Sequence, residues 1–348
     1  MKAAVLYGNG DIRFDDYPAP VIRPGAVKIR VRVSGICGSD IPRVLHNGAH
    51  FYPIVLGHEF SGDVVEVGEG VNGLKIGDTV TGVPLLPCMS CGDCQRGNYA
   101  LCKHYSFVGS REQGGFAEYV VVPEKNAVKY EPTISYEQAA MFEPYAVALH
   151  GINRADYKGG EYVAILGVGT IGLFAMQWAG IFGARKIVVF DINAQRLALA
   201  RKFGADAAID TSAKSCYEEA LNATRGNGFG FVFETAGSPA TMRMAFDLAG
   251  NGACLCFIGT PHVDLTFTPQ QWENLNRKEL RLVGSWMSYS SPFPGIEWEL
   301  TAHCFATGQL RFAPGLIFKV FPLSRVDEAF ALFKNPKLVH GKVLLVND

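Results

Sequence analysis

From Tyr162 onward the chain alternates short apolar runs with longer amphipathic stretches, and one junction between them is built from glycine. Tyr162 to Leu166 is followed at once by Gly167-Val168-Gly169-Thr170-Ile171-Gly172, and a helical pattern then runs through Leu173 to Ile181. Further apolar runs lie at Lys186 to Phe190, Ala207 to Ile209, Phe229 to Phe233, Ala253 to Ile258 and Leu280 to Gly284. Parallel strands need crossover helices between them, so six such runs spaced by helical segments predict a doubly wound parallel sheet. In that context the glycines have separate uses. Gly167 permits a tight turn, Gly169 lets backbone approach a pyrophosphate, and Gly172 lets the helix pack closely on the strand. The amides opening the helix, from Thr170 and Ile171 onward, face the phosphates. Asp191 stands nineteen residues beyond Gly172 at the end of the next run. There a carboxylate holds a ribose 2′-hydroxyl and repels a 2′-phosphate, which favours NAD over NADP, with Arg196 nearby.

The 348 residues exceed one ordinary core and imply two domains. Ahead of the alternating region the sequence is β-rich. Val27 to Val33 alternates apolar and charged residues, and similar runs occur at Asp63 to Val67, Asp78 to Val83 and Phe116 to Val122. A compact barrel-like β domain fits them. A helical pattern spans Tyr145 to Tyr157 before Lys158-Gly159-Gly160 breaks it, and beyond Ser285 come a helix near Trp298 to Thr307 and strands around Leu316 to Val320 and Lys342 to Val346. The expected division is residues 1–152 with 290–348 in the first domain and 153–289 in the second. A net charge of -1 with 19% charged residues excludes a polyanion-binding surface, so no nucleic-acid partner is expected. The apolar run Ala3 to Tyr7 is too short for a signal peptide, and Leu173 to Ala184 is too short to span a bilayer. These features point to a cytoplasmic protein without a membrane partner. Its nine cysteines are then reduced rather than paired in disulfides.

Cys88, Cys91, Cys94 and Cys102 crowd into fifteen residues. Four thiolates at this spacing suit a structural zinc, whose tetrahedral shell they fill. An iron–sulfur run would place its fourth cysteine nearer and follow it with proline, whereas Cys102 precedes Lys103. A catalytic metal needs an open position, and the candidates for it are Cys37, His58, Glu59 and Glu143. Singly, each has an ordinary reading as a core thiol, a buried polar group or a helix start. Together, on a β domain that also carries the four-thiolate cluster, they point to a second metal.

The chain resembles the zinc-containing medium-chain alcohol and polyol dehydrogenases end to end. Gly57-His58-Glu59-x2-Gly62-x5-Gly68-x2-Val71 is similar to the zinc signature of that family, and the cysteine cluster, the glycine motif and the domain order agree with it. The resemblance implies a GroES-like β-barrel catalytic domain joined to a Rossmann domain in an α/β protein, with two zinc ions and NAD. It implies that Cys37, His58 and Glu143 ligate the catalytic zinc, that Glu59 exchanges with substrate or water, and that Asp40 orients His58. Zinc lowers the pKa of bound water from about 15.7 to about 7 and would acidify an alcohol likewise. Ser39 would accept the proton while hydride passes to nicotinamide. A histidine that often extends the relay is absent, its place taken by Pro42, Arg43 and Val44.

Segments Ile36 to Arg43, Asn47 to Pro53 and Gly284 to Pro292 resemble members of the family that act on sugar-alcohol phosphates. The implied reaction is oxidation of a secondary alcohol of such a phosphate to the ketose phosphate. An arginine that serves sorbitol-type relatives is replaced near Met287. Arg43, His50 and Arg111 are candidates for holding the phosphate, with Trp286 and Tyr289 shaping a pocket wall. Oxidation of unphosphorylated polyols, and a zinc- and nucleotide-binding protein without turnover, are the competing readings. The family also implies a homodimer or homotetramer.

Overall fold

The computed structural model describes residues 1–335 and 338–347. Contacts divide the chain into two compact units, one made of residues 1–143, 289–308 and 312–348 and the other of 144–288 and 309–311. The division falls inside the helix Phe142–Arg154.

The first unit is organised by the strand Ala26–Gly35, whose alternation sends Val27, Ile29 and Val31 inward against Phe60, Val64, Val80, Val120 and Val122. The charged residues between them face the other way, where Lys28 pairs with Glu66 and Arg32 with Asp63 at 2.7 Å. This strand runs antiparallel to Glu59–Val67, to Tyr119–Pro123 and to the C-terminal strand Lys342–Val346, which in turn lies parallel to Ile317–Pro322. Residues 289–308 and 312–348 thus rejoin the first unit. A second core gathers Ala3 to Leu6, Ile54 to Leu56, Phe321, Val326, Phe330, Val343 and Leu345. The hairpin Lys2–Gly8 with Asp11–Asp16 had no alternating pattern to announce it, because Ala3, Ala4, Val5 and Leu6 are buried on both faces.

The second unit holds the expected six-stranded parallel sheet. Its order is Ala207–Asp210, Lys186–Asp191, Tyr162–Leu166, Phe229–Glu234, Ala249–Phe257 and Arg281–Gly284. The central strands are apolar throughout, as burial between two helical layers requires. Helix Thr170–Ile181 is buried nearly all round, and its polar atoms are satisfied: Gln177 Nε2 donates to Tyr145 Oη at 2.9 Å and Trp178 Nε1 to Tyr145 O at 3.0 Å. Asn193 and Ser238 cap the helices Ala194–Phe203 and Pro239–Leu248 through their side-chain oxygens. No helix among the described residues is long and apolar enough to cross a membrane.

Glycine is required at the first and last positions of the loop after Leu166. Gly167 has φ +87°, and a Cβ on Gly172 would lie 1.9 Å from Gly167 O. Gly169 faces open space. Gly172→Ala is therefore expected to cost about 1–3 kcal/mol of stability, while Gly169→Ala melts like the parent protein; urea unfolding of the two variants checks both outcomes.

Candidate metal and dinucleotide sites

At the end of the central strand the chain turns through Cys37 into the short helix Asp40–Leu45. The turn is tied by the Cys37 amide, which donates to Asp40 Oδ2 at 3.0 Å. Ser39 donates to Cys37 Sγ through its amide at 3.5 Å and its hydroxyl at 3.4 Å. Asp40 is fully buried, and its Oδ1 lies 3.5 Å from His58 Nδ1, which leaves the other ring nitrogen of His58 for a ligand. Phe107 meets the imidazole edge-on at 5.5 Å between ring centres. Glu59 starts the neighbouring strand directly opposite Gly35.

One ligand atom each from Cys37, His58 and Glu59 lies within 4.8 Å of the others, a grouping that could hold a metal ion. Glu143 stands outside that closest group, yet its buried carboxyl feels the charges of His58, Glu59, Lys342 and Asp40. Burial chiefly, and Glu59 in support, push its pKa up to about 7 against the opposing influence of His58. For His58, burial works against the protonated ring, but Asp40 and Cys37 outweigh it and carry the pKa well above the usual value.

Sequence reasoning missed Lys342. It is buried and ion-paired to Glu59, and its pKa is raised despite burial because Glu59 and Cys37 favour the charged form. Its only sequence signal is a charge opening the apolar run Val343 to Val346. Room for the pair exists because residue 35 lacks a side chain: a Cβ there would lie 2.3 Å from Glu59 Oε2 and 2.8 Å from Lys342 Cε. Cys37, His58, Glu59 and Glu143 gather around one buried lysine, and thiol, imidazole and carboxylate donors brought together in this way fit a divalent cation.

The four-cysteine cluster also fits a metal. Cys88 and Cys94 sulfurs are 4.0 Å apart, as are those of Cys91 and Cys102, near the spacing of about 3.8 Å that Zn–S bonds of about 2.3 Å give in a tetrahedron. The Cys91 amide donates to Cys88 Sγ and the Cys88 amide to Cys102 Sγ, both at 3.3 Å. Hydrogen bonding, led by the Ser90 amide, pulls the Cys88 pKa down to about 5, whereas burial pushes Cys94 up to about 12. A bound cation resolves that conflict by stabilising all four thiolates. None of the cysteines forms a disulfide among the described residues.

In the second unit, Gly169 caps the helix Thr170–Ile181 without any side-chain acceptor, and its Cα faces open space, a fit for a phosphate. Asp191 ends the adjoining strand and accepts from the Val168 amide at 2.7 Å and the Asn193 amide at 2.9 Å. A carboxylate has further lone pairs for a ribose hydroxyl. Arg196 Nη1 is 3.9 Å from Asp191 Oδ2, so it flanks this position as an ion partner of the acid.

The expected substrate residues separate into three cases. Arg43, His50 and Arg111 lie in the first unit, and the charges of both arginines act on His50. Trp286 is 54% exposed at the end of the second unit's edge strand. Tyr289 is packed in the interior: it is 3% exposed, stacks on Phe293 and Trp298, and its hydroxyl accepts from the Leu85 amide at 3.2 Å. An aromatic ring in an apolar core gains more from packing than from a place at the surface.

Residues 23–132 match the alcohol dehydrogenase GroES-like domain and residues 170–302 match the zinc-binding dehydrogenase domain. Galactitol 1-phosphate 5-dehydrogenase of Escherichia coli (strain K12) is 43% identical over 99% of this chain and 100% of its own length. The crystal structure of galactitol-1-phosphate dehydrogenase from Escherichia coli superimposes with a TM-score of 0.94 at 40% identity, covering 99% of this chain and 100% of that one. A zinc-binding dehydrogenase from Sinorhizobium meliloti 1021, solved bound to NADP, gives a TM-score of 0.90 at 32% identity, covering 99% and 98%.

Protonation opposes metal at the Cys37 centre. A carboxyl whose folded pKa is about 7 rather than 4.5 binds its proton more tightly in the folded state, so its contribution to the metal-free protein is present below 4.5 and is lost as pH rises toward 7. Metal binding needs deprotonated ligands and strengthens over the same window. Urea unfolding between pH 4.5 and 8 is expected to show the metal-free protein losing stability with rising pH and the zinc-loaded protein gaining it.

Proposed function

The chain belongs to the zinc-binding alcohol dehydrogenase family, and from that footing we propose that it oxidises a secondary alcohol of a sugar-alcohol phosphate to the ketose phosphate. Galactitol 1-phosphate going to tagatose 6-phosphate is the reaction that fits best. The observation carrying this reading is the buried set Asp40, His58, Glu59, Glu143 and Lys342 with the half-buried Cys37 beside it, which fits a divalent cation, in a chain 43% identical over its length to an enzyme of that substrate.

Cys37, His58 and Glu143 are the residues to hold a catalytic zinc, with Glu59 as the exchangeable carboxylate; Cys88, Cys91, Cys94 and Cys102 would hold a structural one. Bound there, zinc supplies Lewis acidity toward the substrate oxygen. Asp40 fixes the ring of His58 through Nδ1. Ser39, exposed and resting its hydroxyl on Cys37 Sγ, accepts the proton of the substrate hydroxyl and passes it to water, since Pro42, Arg43 and Val44 offer no imidazole beyond it. NAD, when bound, is the hydride acceptor. Gly167, Gly169, Thr170, Ile171 and Gly172 form its phosphate cradle. The Asp191 carboxylate favours a free 2′-hydroxyl over a 2′-phosphate, which separates this chain from a relative that binds NADP.

The reaction is assigned to the cytoplasm, where free thiols are kept reduced. We assign a homodimer or homotetramer built by pairing sheet edges of the second unit, a reading supported by the edge strand Arg281–Gly284 with Leu282 39% exposed.

NAD reduction measured against galactitol 1-phosphate, galactitol, sorbitol and xylitol tests the proposal. Preference for the phosphate supports it; equal or better turnover of the free polyols makes the protein a polyol dehydrogenase instead. Ser39→Ala is expected to lower kcat by about 10²–10⁴-fold with zinc retained, and full turnover in that variant would remove Ser39 from the proton path.

A further inference from the structure

Two arginines and a histidine on separate segments of the first unit share one neighbourhood beside the Cys37 centre. Arg43 lies on the helix that Ser39 and Asp40 begin, with Nη1 donating to Ser39 O at 2.7 Å and lying 3.9 Å from Asp40 Oδ1. Asp40 is already engaged with the Cys37 amide and His58, and an arginine carries five N–H donors, so Arg43 keeps several for another acceptor. Arg111 sits in a turn fastened to Phe107, whose carbonyl accepts from the amides of Ser110, Arg111 and Glu112 at 3.2, 2.8 and 3.0 Å. The ring of the same Phe107 rests against His58.

The Arg111 guanidinium lies over the Tyr105 ring at 4.8 Å, and among the described residues no carboxylate forms an ion pair with it. Its sequence neighbour Glu112 is turned to the Ser106 hydroxyl at 2.9 Å. His50 belongs to the loop that follows the Arg43 helix. That loop is held by the His46 and Asn47 amides on Pro42 O and by the Ala49 amide on Tyr52 Oη at 3.0 Å. Burial lowers the pKa of His50, and the charges of Arg111 and Arg43 lower it further, which marks all three as electrostatic neighbours. A chain of net charge -1 has no general excess of positive charge to account for such a cluster.

A phosphomonoester near neutral pH carries close to two negative charges and three acceptor oxygens, and arginine forks match that geometry. We propose that Arg43, His50 and Arg111 together anchor the phosphate group of the substrate; this rests on the sugar-alcohol phosphate reading above. The anchor places the charged end of the substrate beside the helix that carries Ser39. It sets preference for phosphorylated over free polyols without taking part in bond breaking. The pyrophosphate of the dinucleotide is the other phosphate in the reaction, and its binding is measured separately in the test.

Steady-state kinetics of the zinc-loaded protein, with galactitol 1-phosphate and with galactitol, is the experiment, on Arg111→Ala, His50→Ala, Arg43→Ala and Arg111→Lys. Arg111→Ala is expected to raise KM for the phosphorylated substrate by about 10–100-fold, the weight of one charge-assisted hydrogen bond. Its kcat, its KM for NAD and its kinetics on galactitol stay within about two-fold, and Arg111→Lys recovers part of the loss. Inorganic phosphate should inhibit galactitol oxidation competitively in the parent protein and lose that effect in Arg111→Ala and His50→Ala. Equal losses on both substrates, or a raised KM for NAD, would overturn the anchor. A parent preference for the phosphate that survives in all three alanine variants would also overturn it while leaving the proposed reaction standing. No such preference in the parent would instead bring down the reaction itself, and the anchor with it.

Discussion

The Lys342 ammonium lies against the Glu59 carboxylate in a water-excluded pocket that also holds Asp40, His58 and Glu143 and adjoins Cys37. Removing either partner of a buried pair leaves an uncompensated charge, a loss of roughly 3–5 kcal/mol, so this contact fixes the geometry around it. It sets the register of the last strand against Ala26–Gly35 and requires glycine at position 35. Around that pair stand thiol, imidazole and carboxylate donors, a set that fits a divalent ion.

Chemistry and binding are assigned to different layers of structure in this chain. The candidate metal-site side chains come from strand ends and tight turns of the first unit, where close contacts leave little freedom: the Cys37 amide is tied to Asp40, Asp40 lies against His58, and Phe107 closes on the imidazole. The dinucleotide site proposed for the second unit would be mostly backbone, from a helix terminus with no side-chain cap and a carboxylate at a strand end. The first kind of site is sensitive to single side chains and the second to whatever would fill the space above Gly169.

Much of this was legible in the sequence, for physical reasons that differ from place to place. The four central strands of the parallel sheet were visible because burial on both faces makes them apolar runs, although Ala249–Phe257 begins four residues before the expected Ala253, where Gly250 and Asn251 hide its start. The four cysteines and the glycine loop were legible because metal and phosphate geometry dictate spacing. Lys2–Gly8 was not, since a strand buried on both faces in the barrel unit loses the period of two. Lys342 was not, because its partner lies 283 positions earlier in the chain and nothing local marks the pairing. The burial of Tyr289 was not legible, because an aromatic residue reads alike at a surface and in a core. Arg43, His50 and Arg111 could be picked out singly, but that they act on one another became evident only in three dimensions.

Because the closing strand Lys342–Val346 belongs to the unit that also contains residues 1–143, order of synthesis and order of completion run opposite. As the polypeptide leaves the ribosome, every residue of the parallel sheet has emerged before the lysine that balances Glu59 exists. The parallel sheet is complete in sequence once Arg281–Gly284 is added, while the first unit still lacks the strand that brings Lys342 to Glu59. The thiol and carboxyl ligands of the first unit are thus all made long before the strand that completes their surroundings.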